Sequence, residues 1–304
     1  HNYSGFEFLL PRFSQKNLAF YYVEKIKLKK KWTINAGLRF DFTEINIEKH
    51  VQTTANGNSE IRNPDILRDY FNYSLGAGFS KKIGLFTLVK FNFGKSFRTP
   101  TPQELSANGV HHGSFRHERG SDKLNPEEGL QFDMNLDYER KDYKISFSPY
   151  YNYFSNFIYL RPTGRFSPLP EAGQLYEFTE GPVIHWGGEI SGEYHPTPSL
   201  HLQSAIAYTQ LSNTETQLPL PFIPPLSIRN EIDYEWELEN KKINQINFRV
   251  SYQYFAAQNR VDRNERTTPA YQLINVGIGL NPLILKREIS FSLQINNLLN
   301  TAYF

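Results

Sequence analysis

The stretch Leu130-Gln131-Phe132-Asp133-Met134-Asn135-Leu136-Asp137-Tyr138-Glu139 decides the fold. Every second residue from Leu130 to Tyr138 is apolar or aromatic, and the residues between them are amides and carboxylates. On a helix, Asp133, Asp137 and Glu139 would be spread around the circumference. On a strand, where the side-chain period is two, they share one face. The stretch therefore reads as a strand with one oily face and one wet face.

The pattern recurs outward in both directions. Trp32, Ile34, Ala36, Leu38, Phe40 and Phe42 alternate with Thr33, Asn35, Gly37, Arg39 and Asp41. Tyr143, Ile145, Phe147, Tyr151 and Tyr153 alternate with Lys144, Ser146, Ser148 and Asn152. Ile246, Phe248, Val250, Tyr252 and Tyr254 alternate with Asn247, Arg249, Ser251 and Gln253, and residues 288–296 repeat the theme. About a dozen segments result, near 16–28, 32–48, 68–82, 85–97, 128–140, 142–160, 183–195, 199–211, 225–238, 243–256, 270–281 and 286–298. Several exceed the roughly 5–6 residues of an ordinary globular strand and match the roughly 9–11 of a tilted membrane-crossing strand.

Composition narrows the class. The 304 residues carry a formal charge of +2, which gives no footprint for nucleic acid. There is no Cys, so disulfides, thiolate metal sites and Cys nucleophiles are excluded. Aromatics reach 15%, with 24 Phe and 19 Tyr, although no apolar run is long enough for a membrane helix. Aromatic wealth in a polar chain fits either a large soluble all-β protein or a membrane barrel.

The connections separate the two. Short ones at 29–31, 82–84, 140–142, 196–198 and 239–241 alternate with long ones at 49–67, 98–127, 161–182, 212–224 and 257–269. Short turns at one rim and long loops at the other organise an outer-membrane barrel. The fold class is thus all-β, an antiparallel transmembrane β-barrel with short periplasmic turns and long extracellular loops, spanning 1–304 as a single domain. Backbone groups in lipid must be satisfied by a closed sheet whose outward face is apolar. Asp133, Asp137, Glu231, Asp233, Arg249 and Glu288 are therefore assigned to a wet interior. Tyr150, Tyr151, Tyr153, Phe154, Trp236, Tyr252 and Tyr254 are assigned to interfacial aromatic girdles.

Residues 94–105 read Gly-Lys-Ser-Phe-Arg-Thr-Pro-Thr-Pro-Gln-Glu-Leu, followed by Asn108-Gly109-Val110-His111-His112-Gly113 and Leu124-Asn125-Pro126-Glu127. Leu38-Arg39-Phe40-Asp41, Asn156-Phe157-Ile158-Tyr159-Leu160, Gly187-Gly188-Glu189-Ile190, Leu220-Pro221-Phe222-Ile223-Pro224-Pro225-Leu226 and Ile295-Asn296-Asn297-Leu298-Leu299-Asn300-Thr301-Ala302-Tyr303 surround them. In this order and spacing the motifs resemble the barrel of TonB-dependent outer-membrane receptors, across almost the whole chain. The resemblance implies a barrel of roughly 22 strands, an amino-terminal plug domain and a segment that engages TonB. It also implies that a dozen strands are part of such a barrel, truncated at both ends, with plug and last strand absent and the sheet open.

The resemblance implies an outer-membrane location and uptake of a metal-containing ligand: a ferric siderophore, haem or zinc. A passive porin or structural barrel is the alternative. An enzyme is not supported, because no Gly-x-Ser-x-Gly elbow or hydrolytic set is present. No intrinsic cofactor is expected. The expected partners are the TonB complex, outer-membrane lipid and a small metal chelate.

The loop at 98–127 holds three of the eight His and supplies the candidate ligand-binding residues Arg98, His111, His112, His117 and Glu118. His111, His112 and His117 are the candidate metal ligands, since imidazole with carboxylates suits zinc, copper or iron, and a His can ligate haem. The boxes around them resemble the equivalent loops of haem and zinc receptors, departing from the haem pattern at Thr99 and Glu127. Arg161, Arg165, Arg260, Arg263 and Arg266 in other long loops could pair with an anionic ligand such as a ferric siderophore. His195 and His201 fall at a short turn and read as periplasmic surface.

Overall fold

A computed structural model describes residues 9–53, 59–111, 113–169, 172–238, 243–284 and 287–303. The side chains of 30, 243–244, 283–284 and 287–288 lie outside the description, as do His112 and the expected turn at 239–241. Glu288, assigned to the interior, falls in that group.

The chain forms β1 (Phe13–Leu28), β2 (Trp32–Ile47), β3 (His50–Thr53), β4 (Ser59–Asn63), β5 (Ile66–Ile83) and β6 (Thr87–Arg98). A short helix α1 (Pro102–Ser106) leads to β7 (Asn108–His111) and β8 (Arg116–Arg119). Then come β9 (Glu127–Glu139), β10 (Tyr143–Phe166), β11 (Gln174–Thr197), β12 (Leu200–Asn213) and β13 (Ser227–Glu237). β14 (Ile243–Phe255), β15 (Tyr271–Ile284), β16 (Arg287–Glu288) and β17 (Phe291–Ile295) complete the order.

The long strands make one antiparallel meander, β1-β2-β5-β6-β9-β10-β11-β12-β13-β14-β15, with β16 and β17 both on the outer side of β15. Each strand pairs with its sequential long neighbour. Among the described residues β1 does not pair with the β15–β17 end, so the sheet is open.

Alternation on the strands becomes two physical faces. Phe20, Phe40, Phe71, Phe93, Phe132, Tyr151, Ile190, Ile232 and Val250 are large and exposed, Phe20 by 60% and Val250 by 44%. In water such a band would be a severe liability; against lipid it is what a barrel wall requires. The opposite face is knitted by polar bonds between neighbouring strands. Lys90 Nζ and Ser146 Oγ donate to Asp137 at 3.1 and 2.9 Å, and Asn135 Nδ2 donates to Ser148 Oγ at 3.0 Å. Arg249 Nε donates to Asp233 at 2.5 Å and stands 3.5 Å from Glu231.

Two assigned girdle residues belong to this second face. Tyr150 donates to Thr209 Oγ1 at 2.7 Å and packs edge-on to His185, while Phe154 is buried with Val183 and Leu220. Both stand on the same parity as Asn152, opposite to Tyr151 and Tyr153, so parity overrides aromatic character.

The long-loop end departs from expectation in a second way. The loop expected at 161–182 is largely strand: β10 and β11 run 24 residues each, and only 167–173 connects them. The extension stands beyond the apolar band and therefore carries Arg161, Arg165 and Glu177 without penalty. Other long connections carry structure too, the β3–β4 hairpin in one and α1 with β7–β8 in another.

β2 marks where the chemistry changes. Through Asp41 and Thr43 its inner parity is polar, but Ile45 and Ile47 on that parity are fully buried. On the outer parity, apolar up to Phe42, Glu44 pairs with Lys16 at 2.8 Å. The outer face thus meets water near residue 44, while the inner face acquires a plug of side chains. Ile45, Ile47, Ile66, Leu105, Leu124 and Ile158 form that cluster, which places α1 and the end of its loop against the inner wall.

Candidate functional site

The loop at 98–127 is a brace across the long-loop end. α1 begins with a capping box: Glu104 N–H donates to Thr101 Oγ1 at 3.2 Å, and Thr101 N–H donates to Glu104 Oε2 at 2.7 Å. Pro102 at the first turn adds its preset φ. Asn63 Nδ2 donates to Ser106 O at 2.5 Å, and Arg62 and Asn108 exchange side-chain to backbone bonds at 2.8 and 2.9 Å. On the far side β8 pairs in parallel with residues 175–177 of β11, and Arg119 meets Glu177.

Arg98 ends β6 and anchors this brace. Its guanidinium forks to Glu127 at 2.8 and 2.7 Å and to Glu104 at 2.8 and 2.9 Å. Glu127 Oε1 also accepts Ile158 N–H at 2.9 Å, so one guanidinium ties β6, α1, β9 and β10 together. Four of its five donors are taken up by the fold.

The other sequence-derived residues do not converge. Val110 stands opposite His117 and His111 opposite Arg116, so adjacent-residue alternation puts His111 and His117 on opposite faces of the hairpin. His117 is 5% exposed. Asn108 Nδ2 donates to Arg62 O, which turns Asn108 Oδ1 toward His117 Nε2 at 3.1 Å. Nε2 therefore carries the proton, and Nδ1 accepts from Ser167 Oγ at 2.9 Å. Burial first, then Arg119 and Arg62, push its pKa down to about 4. Neutral and doubly bonded, His117 has no lone pair left for a metal in this arrangement. Glu118 is 1% exposed and accepts from Gln103 Nε2 at 2.7 Å and Arg116 Nη2 at 3.2 Å. His111 is half-buried near the hairpin tip, 3.4 Å from Ser114 Oγ. Among the described residues no group of three or more His, Asp or Glu is placed to hold a metal.

Three of the five loop arginines converge, while Arg260 lines a separate groove with Pro224 and Pro225 and Arg266 lines neither. Arg161, Arg165 and Arg263 line a cleft of about 360 Å³ with Tyr159, Glu177 and Asp262. Arg165 pairs with Glu177 at 3.1 Å, whereas Arg161 and Arg263 have no carboxylate partner within 4.0 Å among the described residues. Asp262 is buried to 5%, and its Oδ2 has no hydrogen-bond partner among them. Next to Glu177 on β11, and turned to the other face by alternation, Tyr176 stacks on Phe222 at 6.1 Å, and Arg116 lies over both rings. Sequence reasoning did not foresee the aromatic pair, whose members are 46 residues apart in number and share no motif.

A lipid-facing antiparallel wall with short turns at one rim and a braced, arginine-lined region at the other defines an outer-membrane β-barrel. More narrowly, the chain belongs to the family described as TonB dependent receptor-like, beta-barrel, whose model matches residues 2–298. Barrels of this family are outer-membrane proteins. Among solved structures, the copper transporter OprC superposes with a TM-score of 0.79 at 19% identity, covering 96% of this chain and 43% of that one. The ferric-catecholate import receptor Fiu from K12 E. coli gives 0.67 at 15%, covering 96% and 41%. The ferric yersiniabactin uptake receptor FyuA from Yersinia pestis gives 0.66 at 14%, covering 95% and 41%. At such identities the likeness speaks for the fold, and the chain spans less than half the length of each.

Proposed function

We propose that this chain forms part of the wall of a receptor for TonB-dependent uptake of an anionic, metal-containing chelate. The observation that carries the chemistry is the cleft where Arg161 and Arg263 stand, among the described residues, without carboxylate partners beside a buried carboxylate, with two stacked rings at the adjoining positions 176 and 222. Guanidinium groups recognise carboxylates and other planar anions through paired donors, and an aromatic pair can cover the flat part of a chelate. A ferric siderophore or the propionates of haem suit that set better than bare zinc, for which the described His residues offer no converging ligands. Within the loop at 98–127, and among its described candidates, we assign ligand contact to His111 near the hairpin tip, because Arg98, His117 and Glu118 are engaged in holding the loop.

The wall itself performs no chemistry. Energy reaches the bound ligand through a plug domain and the TonB complex. The test is growth of a deletion strain carrying the full-length protein, with haem, zinc or a ferric siderophore as the sole scarce metal source. Growth on one iron chelate that is lost with tonB supports the proposal. Uptake that persists without TonB indicates a passive pore instead.

A further inference from the structure

At the opposite rim, the β11–β12 turn brings two imidazoles together. The register of this pair shifts between Tyr194 and Thr197, so His195 and Pro196 stand against the single residue His201. Such a bulge re-aims a side chain. His195 keeps the parity of Glu193, and His201 that of Gln203, which are cross-strand partners. Both rings therefore project from the polar inner face. Their Nδ1 atoms are 2.5 Å apart, the centroids 4.6 Å apart and the planes inclined by 79°. The His201 Nε2 atom is buried and has no hydrogen-bond partner among the described residues.

We propose that His195 and His201 form a two-histidine site for a divalent transition-metal ion on the inner wall at the short-turn rim. Two neutral imidazoles can share at most one hydrogen bond between their Nδ1 atoms, but both lone pairs can be given to one ion. Metal–nitrogen bonds of about 2.0–2.1 Å bring two cis ligand atoms to about 3 Å apart, so the rings need separate only slightly. Imidazole pairs select zinc, copper or nickel, and not calcium or magnesium, which prefer oxygen.

The surroundings suit that occupant. Metal-bound imidazole carries its proton on the other nitrogen and commonly passes it to a carboxylate. Asp233 stands directly opposite His201 on β13. It accepts Arg249 through Oδ1 and has capacity for a second donor. Water fills the remaining coordination positions. The site is independent of the arginine cleft and of the identity of any transported ligand, because it lies at the other end of the strands.

The full-length protein, stripped of metal in detergent, is titrated with copper(II) and followed by electron paramagnetic resonance. The wild type is expected to bind one more equivalent than the His195→Gln/His201→Gln double variant, with nitrogen hyperfine structure in that extra signal. Each single variant weakens this site at least about tenfold. Equal stoichiometry in wild type and a folded double variant overturns the proposal. A second measurement needs no substitution: carbethoxylation of wild-type His residues, read by peptide mass spectrometry with and without zinc(II). Zinc is expected to protect His195 and His201 while His50 and His185 react unchanged. Unprotected His195 and His201 overturn the proposal, whatever the variants do.

Discussion

Arg98 and Glu127, 29 residues apart in sequence, are joined by two parallel hydrogen bonds of 2.8 and 2.7 Å, and Glu104 holds the rest of the same guanidinium. Both carboxylates are nearly buried, while the Arg98 side chain is 40% exposed. The pair closes the long loop onto the barrel wall. It is a fold contact at a position where sequence alone suggested a ligand contact.

Arg98→Ala leaves two carboxylates facing each other without a counter-charge. Breaking a fully buried pair in this way costs about 3–5 kcal/mol, and about 2–3 kcal/mol is expected here because the arginine is partly hydrated. Hydrogen exchange across 101–127 is expected to quicken by roughly 30- to 150-fold while the strand centres stay protected. Arg98→Lys recovers only part, since an ammonium cannot fork to both acids. Unchanged exchange in the loop would contradict the brace.

His117 gives the loop a pH dependence. Its folded pKa, about 4, lies below the ordinary 6.5. Its contribution to stability is therefore complete above pH 6.5 and is lost as pH falls from 6.5 through 4. The charged groups that act on it are Arg119 and Arg62, and its hydrogen-bond partners Ser167 and Asn108 are neutral. At about 1.4 kcal/mol per pKa unit the loss reaches up to about 3 kcal/mol, confined to the loop. Loop exchange measured from pH 7 to 4 should rise in the wild type and rise less in His117→Gln. Equal slopes would remove His117 as the cause.

The strand architecture was legible because its cause is local. Strict alternation in 130–139 and its counterparts records one face in lipid and one in water, and eleven long strands appear where that pattern predicts them. Ile45 and Ile47 also carried a readable signal: they place apolar residues on a polar parity, which marks a packed inner core. The candidate site was less legible. His111, His112 and His117 are close in sequence, but a hairpin turns the described pair His111 and His117 to opposite faces, and His112 lies outside the described residues. Conversely Arg161 and Arg263 are 102 residues apart, and only the meander brings them to one cleft.

The two faces predict unequal costs for the same kind of substitution. Val250 is at the middle of the outward stripe of β14, and Asn247 is on the inner face opposite Glu235. Val250→Arg should destabilise the barrel by about 2–4 kcal/mol, as arginine does at a bilayer midplane. Asn247→Arg, beside a carboxylate, should cost less than about 1 kcal/mol. Urea unfolding in lipid vesicles measures both, and similar costs would mean that the faces are assigned wrongly.

Whole-cell uptake of a labelled ferric chelate tests the central claim most directly, using the full-length protein and its Arg161→Ala/Arg263→Ala variant, with and without tonB. The account predicts TonB-dependent accumulation in the wild type, and at least about tenfold weaker chelate binding in a variant that still reaches the outer membrane folded. Undiminished binding by the variant, or accumulation independent of TonB, would contradict it.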